Sequence, residues 1–203
     1  MKTMIKNALI LTAITLVAGI LLGMVYEITK GPIAVAKDRA KKEAYQTVMK
    51  EADTFVLYEK FDADEAKTIL EKADISGCRV DEIVVAKVSN DMKGYVITVT
   101  TSEGYGGDIQ ISMGITFDGT LEGIEILSIS ETAGLGMQAD TPEFKSQYAE
   151  KTAENFVVTK EGAEDEHEID AISSATITTK AITNAINAGV AYYHHELGGN
   201  LNE

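Results

Sequence analysis

The sequence predicts an α+β domain behind a single N-terminal transmembrane helix. Three observations lead there. An uncharged apolar run of 20 residues, Asn7 to Tyr26, lies between Lys6 and Glu27. Several strand-like segments then follow one another without intervening helices. Helical patterns lie before and after them, so strands and helices are segregated rather than alternating.

The N-terminal run is long enough to cross a bilayer. Twenty residues at the helical rise span about 30 Å, the thickness of the hydrocarbon core. A cleaved signal peptide shares the basic start, Lys2 and Lys6, and Ala34-Val35-Ala36 resembles a cleavage site. The apolar run exceeds the usual signal core, however, and Ala36 lies well past its end, so the segment reads as an uncleaved anchor. Gly19 and Gly23 form a GxxxG pattern that lets a second helix approach. Gly31-Pro32 marks a break. The expected organisation is an anchor over 1–30, a helical connecting region over 31–75, and a domain over 76–203.

In the connecting region, Ile33 to Lys50 reads as a helix leaving the membrane, with Val35, Tyr45, Val48 and Met49 as its apolar positions. Asp62 to Lys72 reads as a second helix, whose acidic start suits an N-terminus. Strands are expected at Val80–Val88, Gly94–Thr101, Ile109–Phe117 and Leu121–Ile129. In Gly94–Thr101, Tyr95, Ile97 and Val99 alternate with Val96, Thr98 and Thr100, as in a half-buried strand. Ile109, Ile111, Met113, Ile115 and Phe117 give the cleanest alternation, and Asp118-Gly119 is a hairpin turn. Phe156–Thr159 is a further candidate strand. Thr178–His195 reads as a C-terminal helix, with Ala181, Ile182, Ala185, Ile186 and Ala188 at helical spacing.

Composition excludes several functions. A formal net charge of -14 argues against a nucleic-acid partner, which needs Lys and Arg opposite phosphates. The only cysteine, Cys78, cannot form an internal disulfide or hold a metal cluster, and reads as a small buried side chain. The adjacent His194 and His195 suit a helix end or exposed tail. No GxGxxG supports dinucleotide binding, and no GxSxG supports a serine hydrolase built on Ser173 or Ser174. The acidic stretch Glu161 to Glu168 reads as a solvated loop.

Three Gly- and Thr-rich connections hold the chemistry. The first, Glu103-Gly104-Tyr105-Gly106-Gly107, lets backbone approach a ligand and offers Tyr105 for stacking, or is a plain glycine turn. The second runs from Glu131 to Gly136. Its glycines free N–H groups, and Glu131 and Thr132 add polar contacts, though a turn would use the same residues. The third, Asp170 to Thr179, places five hydroxyl residues within the seven positions 173–179, just ahead of the C-terminal helix. Those hydroxyls suit helix capping. They also suit a helix N-terminus that binds phosphate, where a Thr hydroxyl could contact a phosphate or be esterified to one.

These residues resemble a known family: the FMN-binding G subunit of the Rnf electron-transport complex, and its relative, the C subunit of the sodium-pumping NADH:quinone reductase. The family's flavinylation pattern, Asp-x-x-Ser/Thr-Gly-Ala-Thr, stands here as Asp170, Ser173, Ser174, Ala175 and Thr176, with Ser174 where Gly is usual. A second element, Glu-Thr-Pro-Gly-Leu-Gly, stands as Glu131, Thr132, Ala133, Gly134, Leu135 and Gly136, with Ala133 for Pro. Gly104 to Gly107 matches a third. The resemblance implies one FMN-binding domain with a mainly antiparallel sheet flanked by helices. It implies FMN joined through its phosphate to Thr176 by a Mg-dependent flavin transferase that uses FAD and recognises Asp170. Tyr105, Glu131, Thr132, Gly134, Leu135 and Thr178 are then expected at the flavin site, with Ser173, Ser174 and Ala175.

The implied function is electron relay within a membrane-bound ferredoxin:NAD oxidoreductase, coupled to sodium or proton movement, with the other Rnf subunits as partners. The quinone-reductase C subunit and a cofactor-free anchored binding protein are the alternatives. The resemblance also implies a single-pass protein whose soluble domain lies on the extracytoplasmic side. A Lys/Arg count, with Lys30, Lys37, Arg39, Lys41 and Lys42 beyond the anchor, points the other way, but such counts are poor guides for long translocated domains.

Overall fold

The computed structural model describes residues 1–89, 91–152 and 154–198. The chain divides into two units, Met1–Lys41 and Lys42–Glu203. The first is wholly helical after Met1 and forms most of α1 (Lys2–Val48). Its apolar stretch is long and apolar enough to cross a membrane. The break expected at Gly31-Pro32 does not occur, and α1 runs through Pro32. Proline deletes one helical hydrogen bond. Good helix formers beyond it, Ala34, Ala36, Lys37, Ala40 and Lys41, carry the helix across.

In the second unit, five strands form an antiparallel meander in the order β1-β2-β3-β4-β5. They are β1 (Thr54–Leu57), β2 (Cys78–Val88), β3 (Asp91–Thr101), β4 (Ile109–Thr116) and β5 (Leu121–Ser128). The β4–β5 hairpin turns on Asp118 and Gly119, as the sequence indicated. Thr116 N donates to Thr120 O at 2.9 Å, and Gly119 N donates to Thr116 O at 3.0 Å. Helix α2 (Ala63–Lys72) is capped by Asp62, whose carboxylate accepts from the N–H groups of Asp64 and Glu65.

Both faces of the sheet are covered. Helices α2 and α4 (Thr176–Tyr192) pack on one face, burying Ile69, Leu70, Ile97, Ile111, Ile182 and Ile186. Each isoleucine so buried contributes about 1.5–3 kcal/mol. Tyr45, Val48, Met49 and Ala52 form a second core with Val84, Ala86 and Val96. So β3 is buried on both sides rather than half-buried, with Val96, Thr98 and Thr100 as inaccessible as Ile97. The hydroxyls among them find partners, for example Thr98 with Ser112 at 3.0 Å. Residues 42–75, set apart by sequence as part of a connecting region, thus supply core side chains.

Beyond β5 come a 3-10 turn (Gly136–Asp140), the short α3 (Pro142–Ser146), and a parallel pair of β6 (Val157–Thr159) with β7 (Glu168–Asp170). Helix α4 ends in a π turn over Tyr193–Leu197 that holds His194 and His195. In a meander, the β3–β4 link and the exit from β5 fall at the same end of the sheet. The first two Gly-rich connections therefore lie side by side.

Candidate functional site

Glu131 joins the connections. It is only 9% exposed, and its Oε1 accepts the Gly106 N–H at 3.2 Å. Gly106 lies so close to the second connection that an added Cβ would stand 2.0 Å from the Ser130 carbonyl oxygen. Gly136 is equally confined. A Cβ there would stand 2.7 Å from Glu131 Cβ, Glu131 Oε2 and Thr178 Oγ1. The start of α4 is thus pressed against the second connection at Gly136. That connection folds back on itself, with Leu135 N and Met137 N both donating to Thr132 O, at 3.1 and 3.2 Å.

The third connection opens α4 in an unusual way. The N-cap is Ala175, and no side chain caps the helix. The hydroxyls of this segment are therefore not used as caps. The first helical bond runs from Thr179 N to Ala175 O, so the N–H groups of Thr176, Ile177 and Thr178 have no helical acceptor. Thr179 serves the turn instead. Its Oγ1 accepts from Ile172 N and donates to Ala175 O, each at 3.1 Å. Ser174 stands in the left-handed region at φ 64, which accounts for the glycine usual at this position. Thr176 is half-buried, and its hydroxyl makes no hydrogen bond to the described residues.

Together these elements line a cavity of about 490 Å³, a size typical of ligand sites. Its wall contains eight residues expected from sequence: Tyr105, Glu131, Thr132, Leu135, Ser174, Ala175, Thr176 and Thr178. Gly136 and Ile177 also line it and were not foreseen as site residues. Ile177 is 56% exposed, an apolar side chain in a first helical turn next to the exposed Leu135 and Tyr105. Ile177 lies inside the hydroxyl cluster, and its outward orientation shows only in the folded chain, so the sequence carried no separate signal for it.

Three expected residues stand outside the wall. Gly134 forms the turn behind it, at φ 77, and its carbonyl accepts from Gln138 Nε2 at 2.8 Å. Ser173 is an exposed turn residue. Asp170 ends β7, where its exposed carboxylate accepts from Ala163 N at 2.7 Å. The Gln147 side chain holds Asp170's backbone from the other side, at 2.7 Å to its N–H and 3.4 Å to its carbonyl.

Residues 104–191 match the FMN-binding domain, and residues 1–48 match the RnfG N-terminal region. Across its length the chain is 30% identical, over 200 residues, to the G subunit of the Na(+)-translocating ferredoxin:NAD(+) oxidoreductase complex of Acetobacterium woodii. The match covers 96% of this chain and 93% of that one. The chain belongs to the Rnf G-subunit family. Another member, from the proton-translocating ferredoxin:NAD(+) oxidoreductase complex of Clostridium ljungdahlii, is 31% identical, with 93% of this chain and 91% of that one covered. Among solved structures, the C subunit of the Na(+)-translocating NADH-quinone reductase of Parabacteroides distasonis superposes with a TM-score of 0.48 at 23% identity, covering 74% of this chain and 81% of that one.

As a member of the G-subunit family with an FMN-binding domain, the chain has a cavity whose parts fit FMN. The unpaired N–H groups of Thr176, Ile177 and Thr178 suit a phosphate at the positive end of a helix dipole. Tyr105, Leu135 and Ile177 offer apolar surface to a flat ring.

Proposed function

We propose that this chain is the electron-relay component of a membrane-bound ferredoxin:NAD oxidoreductase coupled to sodium or proton movement, and that it carries FMN as a phosphoester of Thr176. The observation that carries this reading is the Thr176 hydroxyl. It has no hydrogen-bond partner among the described residues, and it stands at the uncapped start of α4 in the cavity wall.

A flavin transferase acting on FAD would join the Thr176 oxygen to the FMN phosphate. The phosphoanhydride bond would break, AMP would leave, and the hydroxyl proton would be lost. Asp170 lies outside the wall with an exposed carboxylate, a position suited to recognition by the transferase rather than to contact with the cofactor. FMN bound here supplies electron acceptance and release. The chain's own work is to hold and shield it. The N–H groups of the first α4 turn neutralise the phosphate, and Leu135, Ile177 and Tyr105 keep water from the ring.

The single anchor fits a membrane complex, with the other Rnf subunits as electron donors and acceptors. The soluble domain is assigned to the extracytoplasmic side, where a covalent bond prevents cofactor loss. The test is flavin fluorescence in a denaturing gel after coexpression with a flavin transferase. The unsubstituted chain should fluoresce and Thr176→Ala should not. Fluorescence that survives in Thr176→Ala would place the bond elsewhere.

A further inference from the structure

We infer that Glu131 is a positioning residue, whose carboxylate oxygen latches the Tyr105 loop at the mouth of the cavity. Tyr105 stands between two glycines, is 73% exposed, and makes no ring contact among the described residues. Side-chain packing therefore does not fix it, and its place depends on the loop backbone. Among the described residues, one hydrogen bond ties residues 104–108 to another part of the chain: Gly106 N to Glu131 Oε1, at 3.2 Å. The loop is preshaped for this bond, because Gly106 lies on the Ser130 carbonyl too closely for any Cβ. The acceptor is held in turn, because Gly136 stands close against the same side chain, at its Cβ and Oε2. One buried acceptor thus sets the loop of the first connection against the second connection.

The part of this inference that concerns the flavin rests on the proposed FMN site, but the latch itself is tested without flavin. The chain has no tryptophan, so Tyr105→Trp supplies a single fluorescent reporter. The full-length chain carrying this substitution is expressed without flavin transferase and purified in detergent. Tryptophan anisotropy should drop when Glu131→Ala is added and be retained when Glu131→Gln is added, because the amide oxygen still accepts the Gly106 N–H. Equal anisotropy in all three proteins would overturn the latch. Equal loss in both variants would assign the effect to the charge and overturn it as well. Should Glu131→Ala not fold, Gly106 amide exchange in the unsubstituted chain decides. It should be at least about tenfold slower than Gly107 exchange, as a bond to a carboxylate provides. Equal rates would overturn the inference. In the flavinylated chain, flavin anisotropy should follow the same pattern, while intact mass reports the Thr176 bond independently.

Discussion

The Thr179 hydroxyl closes the turn that presents Thr176. It accepts the Ile172 N–H and donates to the Ala175 carbonyl, each at 3.1 Å. Thr179 is fully buried. Valine has the same shape but leaves the Ile172 N–H without its partner, which costs about 1–3 kcal/mol. Thr179→Val should lower the stability measured by chemical denaturation by that amount and slow flavinylation of Thr176. Thr179→Ser should restore most of both. Unchanged stability in the valine variant would show that the turn does not depend on this hydroxyl.

Ser174 is a non-glycine residue in the left-handed region, at φ 64. That conformation costs an L-residue about 1 kcal/mol or more, and glycine nothing. Glycine returns part of the gain through the greater entropy of the unfolded chain. Ser174→Gly should therefore stabilise the domain by up to about 1 kcal/mol, and Ser174→Val should destabilise it. Thermal melts of the two variants check the sign. A destabilised glycine variant would mean that the serine hydroxyl contributes more than the strain removes.

Gly136 leaves no room for a side chain. An added Cβ would meet Glu131 and Thr178 at 2.7 Å. Gly136→Ala must push α4 and the second connection apart, at a cost in the range of about 1–3 kcal/mol for an overpacked site. Circular dichroism melts should show the loss of stability. Flavin absorbance of the loaded protein should shift as the cavity wall moves. Gly134 does not line this cavity, so Gly134→Asn, which tolerates a positive φ, should leave the spectrum unchanged.

Cys78 is held as a thiol. Burial pushes its pKa up to about 11, with Glu103 adding to the rise and a hydrogen bond with Thr101 opposing it. Alkylation requires the thiolate, so at pH 8 the folded chain should react about a hundredfold more slowly than a free cysteine. The rate should climb as the pH approaches that of thiol ionisation. A rate equal to that of the unfolded chain at pH 8 would contradict the burial argument.

Much of this fold is legible because single residues carry strong local signals. The β4 alternation, the Asp118-Gly119 turn, the Asp62 cap and the alanine-lined face of α4 each reflect one physical rule acting locally. What the sequence hides is context. Strand β1 is four residues long, too short to show a period. Strand β7 has only Ile169 as an apolar residue and exists because β6 pairs with it in parallel. Pro32 reads as a stop, yet the propensity beyond it outweighs one lost hydrogen bond. At the site, the family resemblance carried by the three motifs named eight wall residues, whereas the glycines and hydroxyls alone fitted plain turns and helix capping equally well. Gly136 and Ile177 escaped because their roles arise only when α4 meets the second connection.

The most direct test of the central claim is the intact mass of the purified full-length chain after coexpression with a flavin transferase, beside Thr176→Ala prepared identically. The account predicts an added mass equal to FMN minus water in the first protein and none in the second. An unmodified first protein, or the same addition in both, would contradict the assignment of Thr176 as the flavin-bearing residue.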